Sequence, residues 1–100
     1  MIIRIFDTAI EADDVERAKE LFREQVRPAF ETWEGCAGID MHLSVDEHSG
    51  DLVEVAAISR WESRAAIERA VAADAYDDAM RALKALFRQT PIVRHFEAVD

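Results

Sequence analysis

The sequence is poor in residues that cross-link a chain or interrupt it. Its 100 residues include one cysteine, Cys36, with two prolines and three glycines. A single cysteine cannot close an intramolecular disulfide, and no group of His and Cys has zinc-site spacing, so we expect a reduced, intracellular protein without a metal. Half of the residues are hydrophobic, which predicts one domain over residues 1–100.

Basic residues and long apolar runs are also scarce. Twelve Lys and Arg stand against 21 Asp and Glu, which gives a net charge of −9. This excess of acid repels phosphate backbones and anionic lipids, so neither nucleic acid nor a membrane surface is an expected partner. No apolar run is long enough to span a bilayer, and the N-terminus has no leader pattern. The expected location is therefore cytoplasmic.

Alternating apolar residues predict four strands. The clearest alternation runs from Ile39 to Val45, and the stretch from Ile2 to Ile10 is apolar on both faces. The run from Asp51 to Trp61 has the character of a strand buried on both faces, and Ile92 to Val99 follows a break at Pro91. Helices can cover one face of such a sheet, so the other face needs a second layer or another chain.

The segment between the first two predicted strands has helical periodicity. An apolar stripe from Val15 to Trp33 predicts a helix, and Asp13 with Glu16 resembles a capping box at its start. Pro28 lies inside this stripe and lacks a backbone donor, which predicts a kink or a restart near Arg27.

A second helical region follows Trp61. Ser63 is the predicted N-cap of a helix from Arg64, and Asp74 marks a second start. One face of this second helix carries apolar residues at intervals of four, three and four: Tyr76, Met80, Leu83 and Phe87. The order strand, helix, strand, strand, helix, strand predicts a ferredoxin-like α+β fold with an antiparallel sheet.

The junction of Trp61, Glu62 and Ser63, followed by Ala66-Ile67 and Asp74-Ala75-Tyr76, resembles the antibiotic biosynthesis monooxygenase (ABM) family. The resemblance implies a homodimer in which two sheets pack into an α+β barrel, with a ligand cavity between sheet and helices in each subunit. It also implies oxidation of a phenolic or quinol-type molecule by molecular oxygen, with no metal, flavin or other cofactor.

Trp61, Asp7 and Arg81 are the candidate catalytic residues. Trp61 matches a tryptophan of the family and could stack on a flat substrate; the alternative is a core aromatic. Asp7 interrupts an apolar face where a haem-degrading branch has asparagine, and burial there would raise its pKa and make it a base; the alternative is a carboxylate that reaches water. Arg81 matches an arginine of a quinone-forming member, but Ala57 replaces the accompanying asparagine. On its own, Arg81 is more typical of an exposed helical ion pair.

Tyr76 and Met80 are the further candidates for substrate binding. The hydroxyl of Tyr76 could reach the pocket, although its helical spacing is also that of a core residue. Met80 stands where the haem-degrading branch has a histidine, and Asp7 stands where it has an asparagine, so the sequence disfavours haem degradation.

The three histidines leave the remaining alternatives open. His42 and His95 could move protons near neutral pH, or could be structural, whereas His48 is expected to be exposed in the hairpin turn. A metal site from His42, Asp46, His48 and Asp51 is disfavoured, since their spacing is that of a hairpin.

Two functions are therefore compatible with the sequence. The first is a cofactor-independent monooxygenase of a small aromatic or quinol-type substrate. The second is a non-catalytic dimeric module that binds a metabolite or serves in assembly, with Trp61 purely structural. The missing asparagine at Ala57 favours the second, and Asp7 on an apolar face favours the first.

Overall fold

Four antiparallel strands form the sheet of the computed structural model, which describes residues 1–46 and 50–100. They are β1 (Ile2–Glu11), β2 (Cys36–Leu43), β3 (Leu52–Trp61) and β4 (Ile92–Glu97), in the order β2-β3-β1-β4. The predicted ferredoxin-like α+β fold is thus confirmed, with an open sheet in the single chain. His48 and its two neighbours in the predicted turn, Glu47 and Ser49, lie outside the described residues.

The helices lie between the strands in two groups. The first group consists of α1 (Val15–Leu21), a π-helix (Phe22–Val26) and α2 (Arg27–Glu31). The second consists of α3 (Arg64–Ala72) and α4 (Asp74–Lys84). Both groups cover the same face of the sheet, and none of the helices in the described part of the chain is long and apolar enough to cross a bilayer.

The first helical group begins differently from the prediction. A 3₁₀ turn at Ala12–Asp14 precedes α1, and the N–H of Val15 donates to the carbonyl of Ala12. Asp14 at the N-cap makes no side-chain cap hydrogen bond, so the predicted capping box of Asp13 and Glu16 is wrong. The turn itself supplies a backbone acceptor to an N–H that a capping side chain would otherwise bind.

The predicted restart at Arg27 is confirmed, and a π-helix precedes it. The N–H of Arg27 donates to the carbonyl of Phe22, five residues earlier. Pro28 has no N–H to donate to the carbonyl of Glu24, so the regular α-helical ladder is interrupted and the preceding turn widens. Val26 remains buried inside this wider turn.

The second helical group follows its start signals. Ser63 caps α3, because its Oγ accepts from the N–H of Ala66 at 3.1 Å. After an extended residue at Ala73, α4 begins at Asp74 as predicted. The predicted apolar face of α4 is buried at three positions: Tyr76, Met80 and Leu83.

The pleat of β1 divides its side chains between two environments. Four residues face the helices and are buried: Arg4, Phe6, Thr8 and Ile10. Ile3, Ile5 and Asp7 point to the other face of the sheet. We call that second face, which none of the helices in the described residues covers, the open face.

Candidate active site

An apolar cavity of about 20 Å³ lies between the helices and the sheet. Its lining comes from β1, β2 and β3, from both helical groups and from the segment after α4, and comprises Arg4, Phe6, Thr8, Ile10, Ala18, Val26, Phe30, Ile39, Met41, Val55, Ala57, Met80, Leu83 and Phe87. Twelve of these fourteen residues are hydrophobic, so the space favours an apolar ligand and disfavours water beyond a single molecule.

Arg4 carries the positive charge of this lining. Its side chain is buried, with 7% of the residue exposed, and its Nη2 donates to the Tyr76 hydroxyl at 3.3 Å. The guanidinium carbon lies 5.5 Å from the ring centre of Phe6 and 5.7 Å from that of Tyr76. Two aromatic rings therefore contribute cation–π attraction to a charge that has left bulk water.

Tyr76 and Met80 lie on the buried face of α4, one turn apart. Met80 lines the cavity directly. Tyr76 reaches it through Arg4, and its ring packs 6.2 Å from Phe30 and 6.1 Å from Trp33. The structure thus brings Tyr76 and Met80, two of the three residues predicted to bind substrate, to the cavity side of the sheet.

Trp61 lies deeper in the core than a ligand wall would. It is 0% exposed, and its indole N–H donates to the Ser59 hydroxyl at 2.8 Å. Its ring meets Phe30 edge-on, with centroids 6.1 Å apart, and it does not line the cavity. Because its polar atom is already satisfied and no surface is free, this position supports the packing interpretation rather than the predicted substrate wall.

Asp7 and Arg81 lie away from the cavity. Asp7 borders a groove of about 310 Å³ on the open face, with Ile5, Glu54, Ile92, Arg94 and Phe96. The side chain of Arg81 is 73% exposed and pairs with Asp78 at 2.9 Å. Alternation along β1 places the side chain of Asp7 on the opposite face of the sheet from that of Arg4. Arg81 follows Met80 by one residue on α4, so its side chain points about 100° away from that of Met80 around the helix axis. The three predicted catalytic residues are therefore not brought together.

The histidines and the cysteine occupy separate places. His42 is exposed on the open face, with Nδ1 3.3 Å from the carbonyl oxygen of Ala56. His95 pairs with Arg4 across β1 and β4, and burial, with Arg64 and Arg4 nearby, lowers its pKa. Burial raises the pKa of the Cys36 thiol. Within residues 1–46 and 50–100, no three His, Cys, Asp or Glu side chains are grouped to hold a metal.

A surface groove of about 190 Å³ adjoins the cavity at Met41, whose side chain lines both spaces. The rest of this groove is formed by Lys19, Phe22, Arg23, Arg27 and Leu43. Three of these residues are cationic and none is acidic, although the chain as a whole carries a charge of −9. We call this the cationic groove.

Arg4 is the site residue that reasoning from the sequence did not single out. The two-residue alternation of β1 placed it on a face with Ile2, Phe6 and Ile10, where an arginine is as much of an exception as Asp7 is on the other face. The alternation therefore marked Arg4 as unusual. The residues near Arg4 in the sequence could not show which of the two faces of the sheet the helices cover.

Comparison with known proteins identifies the family. The sequence model of the family "Antibiotic biosynthesis monooxygenase" matches residues 1–82. Among solved structures, a crystal structure of an antibiotic biosynthesis monooxygenase is 23% identical with a TM-score of 0.73, and the alignment covers 100% of both chains. A protein of the same family name from Nitrosomonas europaea is 13% identical with a TM-score of 0.80, also over 100% of both chains.

A third similar structure is SnoaB from Streptomyces nogalater, described as a cofactor-independent oxygenase. It is 20% identical, with a TM-score of 0.72, and the alignment covers 99% of this chain and 94% of SnoaB. No curated protein matches the sequence. The structural matches establish the fold, and the family match extends over more than half of the residues. The chain belongs to the antibiotic biosynthesis monooxygenase family.

Proposed function

We propose that this chain is a cofactor-independent monooxygenase that acts on a small aromatic or quinol-type molecule in the cavity between helices and sheet. The observation that carries the proposal is the cavity itself, which combines an almost wholly apolar lining with one buried guanidinium in a member of this family. Such a lining suits a flat, electron-rich ring and keeps water from a reactive intermediate.

The chemistry needs no external reductant. When a naphthol loses its hydroxyl proton, the resulting anion can give electrons to O₂, which adds at a ring carbon. One oxygen atom then becomes the new carbonyl of a quinone, while the other leaves as water with the two hydrogens that the substrate loses. The protein has to bind the ring, stabilise the anion and exclude bulk water, which the residues of the cavity can do.

The cavity must widen for such a substrate. Its volume of about 20 Å³ is close to that of one water molecule, whereas ligand pockets measure roughly 300–1,000 Å³. Two methionines, Met41 and Met80, belong to the lining. Methionine side chains are unbranched and adapt readily to a new shape, so their displacement is the expected first step of binding.

A second copy of the chain is the proposed cover of the open face. Ile92 and Phe96 are 55% and 49% exposed there, beside Ile5 at the centre of the sheet. The same groove holds the opposite charges of Asp7 and Arg94, which can pair across a twofold axis. A homodimer would place residues 1–100, as one domain, on each side of a joint barrel.

A non-catalytic ligand-binding module is the second candidate. It is favoured by the separate positions of the residues predicted to be catalytic: Trp61 is sealed in the core, Asp7 lies on the open face and Arg81 is exposed on α4. Oxygen uptake separates the two functions. An oxygen electrode with dihydroxynaphthalenes and anthrones should show consumption that depends on the protein. Ligand binding without any consumption across this panel would favour the module.

A further inference from the structure

Arg4 combines a buried charge with the absence of an acidic partner among the described residues. Within residues 1–46 and 50–100, the ion pairs involve other residues, and the one side-chain hydrogen bond of Arg4 goes to the uncharged hydroxyl of Tyr76. Arginine stays protonated in proteins, so this lining carries a full positive charge.

Such an arrangement is costly for a purely structural residue. A buried cation is normally paired with a carboxylate or replaced by an apolar side chain of similar volume. The rings of Phe6 and Tyr76 offset part of the cost through cation–π attraction, on the order of 0.5–2 kcal/mol each. A guanidinium has five N–H donors, and one of them is used by Tyr76, so several remain for an acceptor inside the cavity.

The neighbouring groups also favour an anion at this point. His95 lies opposite Arg4 on β4, where burial, with Arg64 and Arg4 nearby, lowers the pKa of the imidazole and disfavours a second cation. Arg64 is the other charged residue that acts on His95. The cationic groove on the far side of Met41 adds three positive side chains, Lys19, Arg23 and Arg27, of which Lys19 pairs with Glu16 at 3.2 Å.

We propose that Arg4 is the binding residue for an anionic oxygen of the ligand, and that the cavity therefore selects molecules with an ionisable ring hydroxyl, bound as the phenolate or enolate. Tyr76 is the positioning residue, because its hydroxyl holds the guanidinium at 3.3 Å. This assignment rests on the proposed function, which it deepens by naming the charged form of the substrate.

The test uses 4-nitrophenol, a single-ring phenol small enough for a cavity that must widen, whose ionised form absorbs visible light. An opposite charge nearby lowers the pKa of an acidic group by about 1–3. Wild-type protein should therefore raise the ratio of ionised to neutral bound phenol ten-fold or more relative to free phenol at the same pH. The neutral ether 4-nitroanisole serves as the ligand control.

Three variants isolate the guanidinium. Arg4→Met keeps a long apolar side chain and should abolish the extra ionisation while leaving the affinity for 4-nitroanisole nearly unchanged. Arg4→Lys should retain part of the effect, and Tyr76→Phe should reduce it because the guanidinium loses its tether. Arg17→Met makes the same chemical change at an exposed arginine, which pairs with Glu20, and should behave as wild type. Circular dichroism and melting temperature establish that each variant is folded.

The outcomes separate this inference from the proposed function. Equal ionisation of 4-nitrophenol by wild type and Arg4→Met, or bound phenol that stays neutral in wild type, overturns the role of Arg4. Failure of both aromatic ligands to bind wild type overturns the role of Arg4 and the cavity as a ligand site together. Arg4-dependent ionisation without oxygen uptake on the quinol panel supports the role of Arg4 and removes the oxygenase.

Discussion

Asp7 and Trp61 point to opposite faces of the same sheet. Trp61 lies among the helices with its N–H bound to Ser59, whereas Asp7 borders the groove on the open face beside Arg94. A single substrate inside the cavity cannot touch both side chains. In the proposed function, Arg4 and Tyr76, which do face the cavity side, take their place.

Substitution of Trp61 should affect stability far more than binding. The residue is 0% exposed, so Trp61→Ala is expected to cost on the order of 3–5 kcal/mol of unfolding free energy. Trp61→Phe should lower the melting temperature, because the Ser59 hydroxyl loses the indole N–H that donates to it. The measurement is thermal unfolding together with quenching of tryptophan fluorescence by a naphthoquinone.

Trp33→Phe is the control for this experiment, since Trp33 is only partly buried. Quenching that persists in Trp61→Phe agrees with a core role. A Trp61→Phe protein of normal stability that no longer binds the quinone would instead return Trp61 to the wall of the site.

The open face should mediate dimerisation. Light scattering at micromolar concentration is expected to give about twice the chain mass of 11.3 kDa. Ile5 lies at the centre of this face, between Ile58 and Arg94, so Ile5→Lys would bury a second positive charge beside Arg94 in the interface and should yield monomers. Ala65→Lys adds the same charge at an exposed helical position and should remain dimeric. A monomeric wild type contradicts the barrel.

Met41 should control access to the cavity, because its side chain lies between the cavity and the cationic groove. Replacement by a bulkier and stiffer side chain, Met41→Trp, is expected to slow the association of 4-nitrophenol at least ten-fold in stopped-flow measurements. Val45→Trp, which adds the same indole at a position that is 98% exposed, provides the matched control. Identical association rates in both variants would mean that ligands enter elsewhere.

The pKa of His95 should lie below its ordinary value of 6.5, because burial and the cations Arg64 and Arg4 disfavour the imidazolium. Protonation then favours the unfolded chain, so the stability contributed by His95 is present above the unfolded-state pKa and is lost as the pH falls through the folded-state pKa. NMR titration of the imidazole signals measures this midpoint. Arg64→Gln should raise it, while Arg69→Gln on the same helix should not.

Gly35 should be intolerant of any side chain. Its φ is +83°, and a Cβ built there would lie 2.6 Å from the Cβ of Ala66. Gly50 has a similar φ of +80°, but a Cβ built there has no atom of the other described residues within 4 Å. Both alanine substitutions incur the left-handed strain of roughly 1–2 kcal/mol, so a larger loss of unfolding free energy in Gly35→Ala than in Gly50→Ala measures the clash. Equal losses would show that α3 yields without cost.

Local signals predicted most of the fold. Alternation identified the strands, the Ser63 hydroxyl marked the start of α3, and Pro28 marked the restart at Arg27. Each of these depends on atoms within a few residues of one another. The prediction of a capping box was wrong because a competing local structure, the 3₁₀ turn before α1, forms instead. Its backbone carbonyl accepts from an N–H in place of a capping side chain.

The site was less predictable because it depends on contacts between distant residues. The hydrogen bond from Arg4 to Tyr76 joins positions 72 residues apart, and the choice between Arg4 and Asp7 depends on which face of β1 the helices cover. A tryptophan at the end of a strand looks the same in sequence whether it borders a cavity or is sealed by Phe30 and Ser59. These distinctions arise only once the layers are assembled.

The π-helix at Phe22–Val26 changes how the chain should respond to insertions and deletions. A turn closed over five residues holds one residue more than an α-helical turn, and its three outward residues, Arg23, Glu24 and Gln25, are exposed. Loss of one of them would convert the wide turn into an ordinary one while Leu21 and Val26 stayed on the inner side. Relatives that are one residue shorter here can therefore keep the same core, and an alignment gap at this turn would mark a local change of helix type.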